Sequence, residues 1–359
     1  MQLIDFGWNS FFEEHYNNLN LKQFSPARVM RENKSNYILM SEAGELNAQV
    51  TGKMLYEQNE QQLPVVGDWV LIQPFDDAGA IIHEVLPRQS SFERKVAGEE
   101  TKAQVVAANV DTVFLVNGLD DDFNIRRIER YINTVYDSGA SPVIVLNKAD
   151  VCNDIASYKA EIESIAFGIP VFIISALNGD GLDEMQAYLK KGNTVALIGS
   201  SGVGKSTIIN HFLGFEKMKV RDVSDEKSKG RHTTTHRELI RLPSGALFMD
   251  TPGMRELQLW GDESTLKKTF EDIEQFAGLC KFKDCQHNNE PGCKVLEAIE
   301  AAELVEERLS SFRKLQRELE HLASRKDQYG RHLLKQKGKK FASMIRQKYK
   351  IDRQMGRKK

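Results

Sequence analysis

The chain is predicted to be a multidomain α/β protein: an all-β barrel, then a central domain of alternating strands and helices, then a helical domain carrying a metal-ligand cluster. Three observations predict this. Residues 25–95 alternate short β-like runs with glycine-containing turns. Between residues 103 and 262, apolar runs each lead into a polar or glycine-rich loop. Between residues 263 and 324, three of the chain's four cysteines fall within 14 residues, ahead of a run of helical period. Residues 1–24 are read as an N-terminal extension and 325–359 as a basic C-terminal tail.

In the extension, Phe6, Trp8, Phe11, Phe12 and Tyr16 give the pattern of a short amphipathic helix, which is expected to pack on the barrel. Residues 37–40, 46–50, 68–72 and 80–85 are the candidate barrel strands, punctuated by Gly44, Gly52, Gly67 and Gly79. Several strands of this length predict a small closed barrel. Such barrels often bind RNA by stacking and charge, and a plain structural barrel fits the pattern equally.

In the central domain, residues 142–146 read as a buried strand that ends in Asn147-Lys148-Ala149-Asp150. A carboxylate at Asp150 accepts two hydrogen bonds from the ring N–H and exocyclic amine of guanine. Adenine lacks that donor pair and would leave a charged acceptor unsatisfied, at about 1–3 kcal/mol. Asn147 is expected to tie the loop together, and the stem of Lys148 to cover one face of the base. Alone, this motif also fits a polar turn closing a strand. The next apolar run, residues 171–174, ends in Ser175-Ala176, where a backbone amide is expected to reach the guanine carbonyl.

Residues 194–198 form a third strand-like run. Gly199-Ser200-Ser201-Gly202-Val203-Gly204-Lys205-Ser206-Thr207 follows, fits G-x-x-x-x-G-K-[ST] in full, and opens a helix. Glycines let backbone amides turn inward around phosphates, where a Cβ would obstruct the approach. Lys205 is expected to reach the β- and γ-phosphates and stabilise charge during transfer, Ser206 to offer its hydroxyl to Mg²⁺, and the helix N-terminus to add positive potential.

Residues 239–242 and 246–249 flank Pro243-Ser244-Gly245 and predict a hairpin, whose second strand delivers Asp250-Thr251-Pro252-Gly253. Asp250 is expected to hold Mg²⁺ through water and the Gly253 amide to sense the γ-phosphate. Before the hairpin lies a polar loop, residues 228–236, with Thr233, Thr234 and Thr235. One of these threonines is expected to ligate Mg²⁺ when the triphosphate is bound, and Thr234 is the candidate.

The order of these motifs is unusual. In ordinary GTPases the phosphate loop opens the domain and the base-reading motif comes later. Here Asn147–Asp150 precedes Gly199–Thr207, which predicts a circularly permuted P-loop GTPase domain that binds GTP and GDP. Met254 stands where Ras-like enzymes place the glutamine that orients the attacking water. An apolar side chain cannot do this, so intrinsic hydrolysis is expected to be slow. His232, in the first-switch loop, is the candidate for positioning water, with His236 a second; the alternative is that His232 only packs or hydrogen-bonds its loop.

Downstream, Cys280-x4-Cys285-x-His287-x5-Cys293 offers three thiolates and one imidazole. That set suits one tetrahedral Zn²⁺ with no open position, the pattern of a structural site. Pro291-Gly292 supplies the turn that returns Cys293, and Cys152 stands apart with no expected role. Leu309, Phe312, Leu315, Leu319 and Leu322 recur at helical steps before the tail. The near-neutral net charge of −2 conceals a division. Residues 325–359 hold fourteen Lys/Arg and two Asp, against 35 Lys/Arg and 49 Asp/Glu elsewhere. Such a tail has the electrostatics of a nucleic-acid-binding arm, or of a solvated end. The chain has no apolar run long enough to cross a bilayer and no signal-like start, and its cysteine spacing is not a disulfide framework, so a cytoplasmic location without membrane is expected.

Taken together, these motifs resemble the RsgA (YjeQ) family, circularly permuted GTPases that act in maturation of the small ribosomal subunit. The matching stretches are Ala107-Ala108-Asn109-Val110-Asp111, the N-K-x-D motif, the phosphate loop, Gly230-Arg231-His232-Thr233-Thr234-Thr235, Asp250-Thr251-Pro252-Gly253 and the cysteine cluster. The resemblance implies an OB-type barrel, binding to the small ribosomal subunit and its rRNA, and GTP-dependent release late in assembly; a monomer is expected. Two other readings of the residues are a phosphate-loop enzyme acting on a small molecule, and an RNA-binding scaffold in which GTP is only structural.

Overall fold

The computed structural model describes residues 2–19, 21, 23–33, 36–56, 63–75, 78–96, 99–215, 237–250, 266–267, 269–306 and 308–317. Near the N-terminus lies α1 (Ser10–Asn18), capped by Asn9 Oδ1, which accepts hydrogen bonds from the Phe11 and Phe12 amides. Phe12 is buried, and the rings of Trp8 and Phe12 stand 4.8 and 5.8 Å from that of Trp69. The helix therefore packs on the barrel, as its amphipathic pattern predicts.

Five strands close that barrel: β1 (Ser25–Glu32), β2 (Tyr37–Ser41), β3 (Gly44–Val50), β4 (Trp69–Pro74) and β5 (Gly79–Val85). They run in the order β1-β2-β3-β5-β4, and β4 returns to pair with β1. Only the β3–β5 pair is parallel among these five. A short helix, α2 (Gly52–Tyr56), follows β3. Alternate residues such as Val29, Leu39, Val70 and Ile82 fill the interior. Of these strands, β1 escaped the sequence pattern. It carries Pro26 near its start and a wholly buried Arg28 at its centre, which together hide the apolar alternation.

A separate hairpin, β6 (Ser91–Val96) and β7 (Glu99–Ala108), joins the barrel to the central sheet. That sheet contains β8 (Thr112–Gly118), β9 (Ser141–Asn147), β10 (Val171–Ile173), β11 (Thr194–Ile198), β12 (Arg237–Arg241) and β13 (Leu247–Asp250). Its order is β10-β9-β8-β11-β13-β12, parallel except for β12. The β12–β13 hairpin turns at the expected place, with Gly245 at φ +87. Helices α3 (Ile125–Ser138), α4 (Ile155–Glu163) and α5 (Lys205–Leu213) follow β8, β9 and β11. Strands β8, β9 and β11 are themselves mostly apolar runs buried over nearly their whole length, as both-face burial of a parallel sheet demands.

The two sheets are hydrogen-bonded through β12, which pairs with β1. Cross-strand ion pairs, Arg31–Glu238 at 2.8 Å and Arg237–Glu32 at 3.1 Å, flank this seam. Behind it, Arg28 joins three parts of the chain. Its guanidinium donates to Phe6 O, to Gly67 O at 3.3 Å, and to Asn109 O and Thr194 Oγ1 at 2.9 Å each. Burial lowers its pKa to about 10 even though Asp111 and Asp68 oppose the shift.

C-terminal to the central sheet, α6 (Glu271–Ala277), α7 (Lys294–Glu300) and a helical stretch at 308–317 form a compact unit around Phe270, Ile273, Val295 and Phe312. Leu309, Phe312 and Leu315 are buried within it, as their spacing predicts.

Candidate nucleotide site and metal cluster

The base-reading and phosphate-binding motifs meet at the carboxyl ends of parallel neighbours. β8 lies between β9, which ends at Asn147, and β11, which ends at Ile198 before the phosphate loop. Buried Asn147 joins the motifs directly. Its Nδ2 donates to Val203 O of the phosphate loop at 2.8 Å, and its Oδ1 accepts from Ala176 N at 2.9 Å. Gly204 makes this approach possible, because a Cβ there would stand 2.1 Å from Asn147 Nδ2. Asp150 is already oriented by Ser175 Oγ, which donates to its Oδ1 at 2.6 Å. Ala149 N donates to Ile174 O at 3.1 Å, fastening the motif to the end of β10.

The phosphate loop turns as its glycines require. Gly202 and Gly204 take φ +81 and +95, and a Cβ on Gly199 would meet Val116 O at 2.1 Å. Lys205 Nζ donates to Gly199 O at 2.8 Å and to Ser200 O, which places its ammonium inside the loop. Ser200, Ser201, Ser206 and Thr207 lie in this loop and the first turn of α5. Asp250 ends β13, and the β11–β13 register pairs Ala196 with Met249, so Asp250 stands one step past that pair beside the strand that feeds the loop. A hydroxyl at Ser206 and a carboxylate at Asp250 are the hard oxygen donors that Mg²⁺ takes. His232, Thr233, Thr234, Thr235, His236, Gly253 and Met254 lie outside the described residues, as does the tail at 325–359.

One member of the site was missed in the sequence. Lys148 adopts φ +70, and its Nζ forms a 2.5 Å ion pair with Asp120 Oδ2 in the turn after β8. Burial pushes the Asp120 carboxyl up, but the hydrogen bond and charge of Lys148 and the Asp122 amide outweigh it and hold the group below its usual range. The available signal was the acidic run Asp120-Asp121-Asp122 directly after an apolar strand.

In the C-terminal unit, Cys280, Cys285, His287 and Cys293 place one ligand atom each within 4.8 Å of all the others. Cys280 Sγ lies 3.9 Å from Cys293 Sγ and 3.7 Å from His287 Nδ1, which is 3.5 Å from Cys293 Sγ. A tetrahedral ion at about 2.3 Å from sulfur and 2.0–2.1 Å from nitrogen spaces its ligands by about 3.5–3.8 Å, so the cluster has the dimensions to hold a metal ion. Its loop is shaped by Gly292 at φ +79 and His287 at φ +57. Glu290 accepts hydrogen bonds from the Gln286, Asn288 and Asn289 amides at 2.7–3.1 Å. Burial lowers the His287 pKa, and the Arg313 charge adds to this against Glu290, favouring the neutral imidazole a metal requires.

This unit docks on α3 through buried polar groups. Arg308 donates to Glu129 Oε1 at 2.7 Å and to Asp272 at 2.8 and 3.0 Å, and it lies over the Phe270 ring. Thr269 Oγ1 adds a 3.1 Å bond to Asn133 Oδ1.

A P-loop site assembled from motifs in this order, beside a closed five-stranded barrel, defines the class of circularly permuted GTPases. The RsgA GTPase family model matches residues 85–260. Two relatives named small ribosomal subunit biogenesis GTPase RsgA extend the likeness over most of the chain. The one from Syntrophotalea carbinolica is 45% identical over 89% of this chain and 90% of its own length. That from Opitutus terrae is 46% identical over 91% and 92%. The chain belongs to the RsgA GTPase family. Among solved structures, YjeQ from Thermotoga maritima is 27% identical with a TM-score of 0.64, covering 82% of this chain and 98% of its own. YloQ, a circularly permuted GTPase, shares the fold with a TM-score of 0.63 over 83% and 96%, at 24% identity. An ABC transporter model also matches residues 182–355. That stretch includes the phosphate loop but excludes Asn147–Asp150, so it bears on phosphate binding and not on the base.

Proposed function

We propose that this chain hydrolyses GTP to GDP and phosphate and assists late maturation of the small ribosomal subunit, binding rRNA and leaving on hydrolysis. The observation that carries the nucleotide reading is Asn147, whose side chain bonds the phosphate loop on one side and the Ser175-Ala176 loop on the other. Three motifs far apart in the chain thereby share one site, with guanine selected by Asp150. The assembly role follows the names of the relatives and the charge of residues 325–359.

In this reading the amides of Gly199–Thr207 and Gly253 cradle the phosphates, and Lys205 offsets charge on the transferred group. Ser206, Thr234 and Asp250 would hold Mg²⁺, which when bound neutralises the β- and γ-phosphate oxygens. His232 orients the water that attacks the γ-phosphorus, since the Met254 thioether has no donor and only a weak acceptor for this. Cys280, Cys285, His287 and Cys293 would hold one structural Zn²⁺, which fixes the fold of the C-terminal unit. The working divisions are an extension at 1–24, an OB-type barrel at 25–95, the permuted GTPase domain at 103–262, the zinc-bearing helical domain at 263–324 and the basic tail. The protein acts in the cytoplasm as a monomer, without membrane contact.

The test measures GTP turnover alone, with isolated small subunits and with isolated large subunits. Stimulation by small subunits only is expected, and its absence overturns the assembly reading. His232→Ala should remove roughly 100-fold or more of the stimulated rate, the usual size of a lost general-base or water-positioning group. Unchanged stimulated turnover removes His232 from the mechanism.

A further inference from the structure

Lys148 is held by an acid that belongs to none of the nucleotide motifs. Asp120 Oδ2 receives Lys148 Nζ at 2.5 Å, with the two side chains 30% and 25% exposed. The turn around Asp120 is built to present that carboxylate. Leu119 N donates to Asn147 O at 2.8 Å, so the turn is tied to the base motif itself. Asp122 N donates to Asp120 Oδ1 at 3.1 Å and Phe123 N to Asp120 O at 2.9 Å, which fixes the side chain and backbone of Asp120 together. Gly118 leaves the space, because a Cβ there would stand 2.5 Å from Asp120 Oδ1. Farther along, Arg127 closes the turn on Asp122 Oδ2 at 2.9 Å.

A lysine stem has many rotamers, and fixing one of them over a flat ring costs entropy at the moment of binding. A partner that holds the ammonium beforehand removes that cost, and such gains appear mainly in the rate of release. Asp120 does not read the base, a task that falls to Asp150 with its Ser175 partner. Resting on the reading of this loop as a guanine site, we infer that Asp120 is a positioning residue: it holds Lys148 as the cover over the base and so slows release of the guanine nucleotide.

The experiment follows release of a fluorescent GDP from the full chain after a chase of unlabelled GDP. Asp120→Asn retains an oxygen for the Asp122 amide but lacks the charge, and release should be about 5-fold faster, as for loss of a partly exposed ion pair. Lys148→Met also speeds release, and adding Asp120→Asn to it should change nothing further, because the two act as one unit. The preference for GDP over ADP should be the same in wild type and Asp120→Asn. Thermal melting of each variant accompanies the cycle. Release from Asp120→Asn at the wild-type rate overturns the inference, as does an equal acceleration by Asp120→Asn in the Lys148→Met background, which would mark a general effect on the turn. A wild-type chain without measurable GDP affinity overturns the guanine-site reading and this inference together, whereas tight wild-type binding with unaltered release overturns the inference alone.

Discussion

Asn147 is the residue on which the site converges, and its two bonds predict the effect of removing it. Asn147→Ala leaves Val203 O without its donor and Ala176 N without its acceptor. Each buried polar group left unpaired costs about 1–3 kcal/mol, and 1.4 kcal/mol is tenfold in affinity. GDP affinity measured by titration calorimetry should therefore fall at least tenfold, and an unchanged value would show that the loops are held by other means. The Lys148–Asp120 pair carries a pH expectation. Its carboxyl is depressed, so the contribution is present above the unfolded pKa of about 3.9 and is lost as pH falls through the folded value. The Asp120 carboxyl signal in an NMR titration should therefore have its midpoint below the ordinary aspartate value of about 3.9, and a midpoint at or above that value would show that Lys148 does not hold the carboxylate. Residue types at this site were legible because the chemistry of guanine and phosphate demands them at set spacings. Asp120 was not, because its role depends on a turn that meets Lys148 only after β8 and β9 pair.

At the scale of elements, the strands that were legible are those whose burial follows a simple period. Residues 142–146 and 194–198 are continuous apolar runs in a parallel sheet, and β2 to β5 are short runs between glycines. β1 was illegible because its centre buries a guanidinium, which local composition reads as surface. The hairpin β6–β7 was missed for a related reason, since Glu93-Arg94-Lys95 in one strand and Glu99-Glu100 with Lys102 in the other resemble a solvated loop. What makes this joint between barrel and sheet specific is close backbone approach. Gly67 has φ +93, and a Cβ there would lie 2.0 Å from Ala108 O, a backbone atom that cannot swing aside. Gly67→Ala combines an unfavourable left-handed conformation with overpacking and should cost at least about 2 kcal/mol. A lowered melting midpoint is expected, while Gly44→Ala, whose Cβ meets nothing within 4 Å, should show only the smaller conformational cost at φ +116. The metal cluster also belongs at this scale, because its ligands lie on the short links around α6 and α7. Chelation should release one equivalent of zinc and loosen residues 266–317 to proteolysis without abolishing GDP binding; a folded protein free of metal would refute the site.

Across the whole molecule, the C-terminal unit is carried by α3, the helix that follows the turn holding Lys148. The contact is ionic and buried: the Arg308 and Glu129 side chains are 4% and 2% exposed, and Asp272 shares the guanidinium. Removing one partner from such a pair typically costs about 3–5 kcal/mol; here Asp272 loses its cation while Glu129 keeps Arg126 at 3.3 Å, so the cost should fall toward the lower end of that range. Arg308→Met should undock the C-terminal unit from α3, read as faster amide exchange on both faces of the contact. It should not alter the number of cations that can meet a nucleic acid beyond the one removed. Deleting residues 325–359 does the opposite, taking away fourteen Lys/Arg and leaving Arg308 in place. Because each phosphate contact contributes roughly 0.7–0.9 to the slope of log affinity against log salt, the deletion should flatten that slope for small-subunit binding by several units. Arg308→Met should shift the affinity at every salt concentration with nearly the same slope. If the two variants gave the same salt dependence, the tail would not be the electrostatic arm, and the binding surface would have to lie in the docked domains.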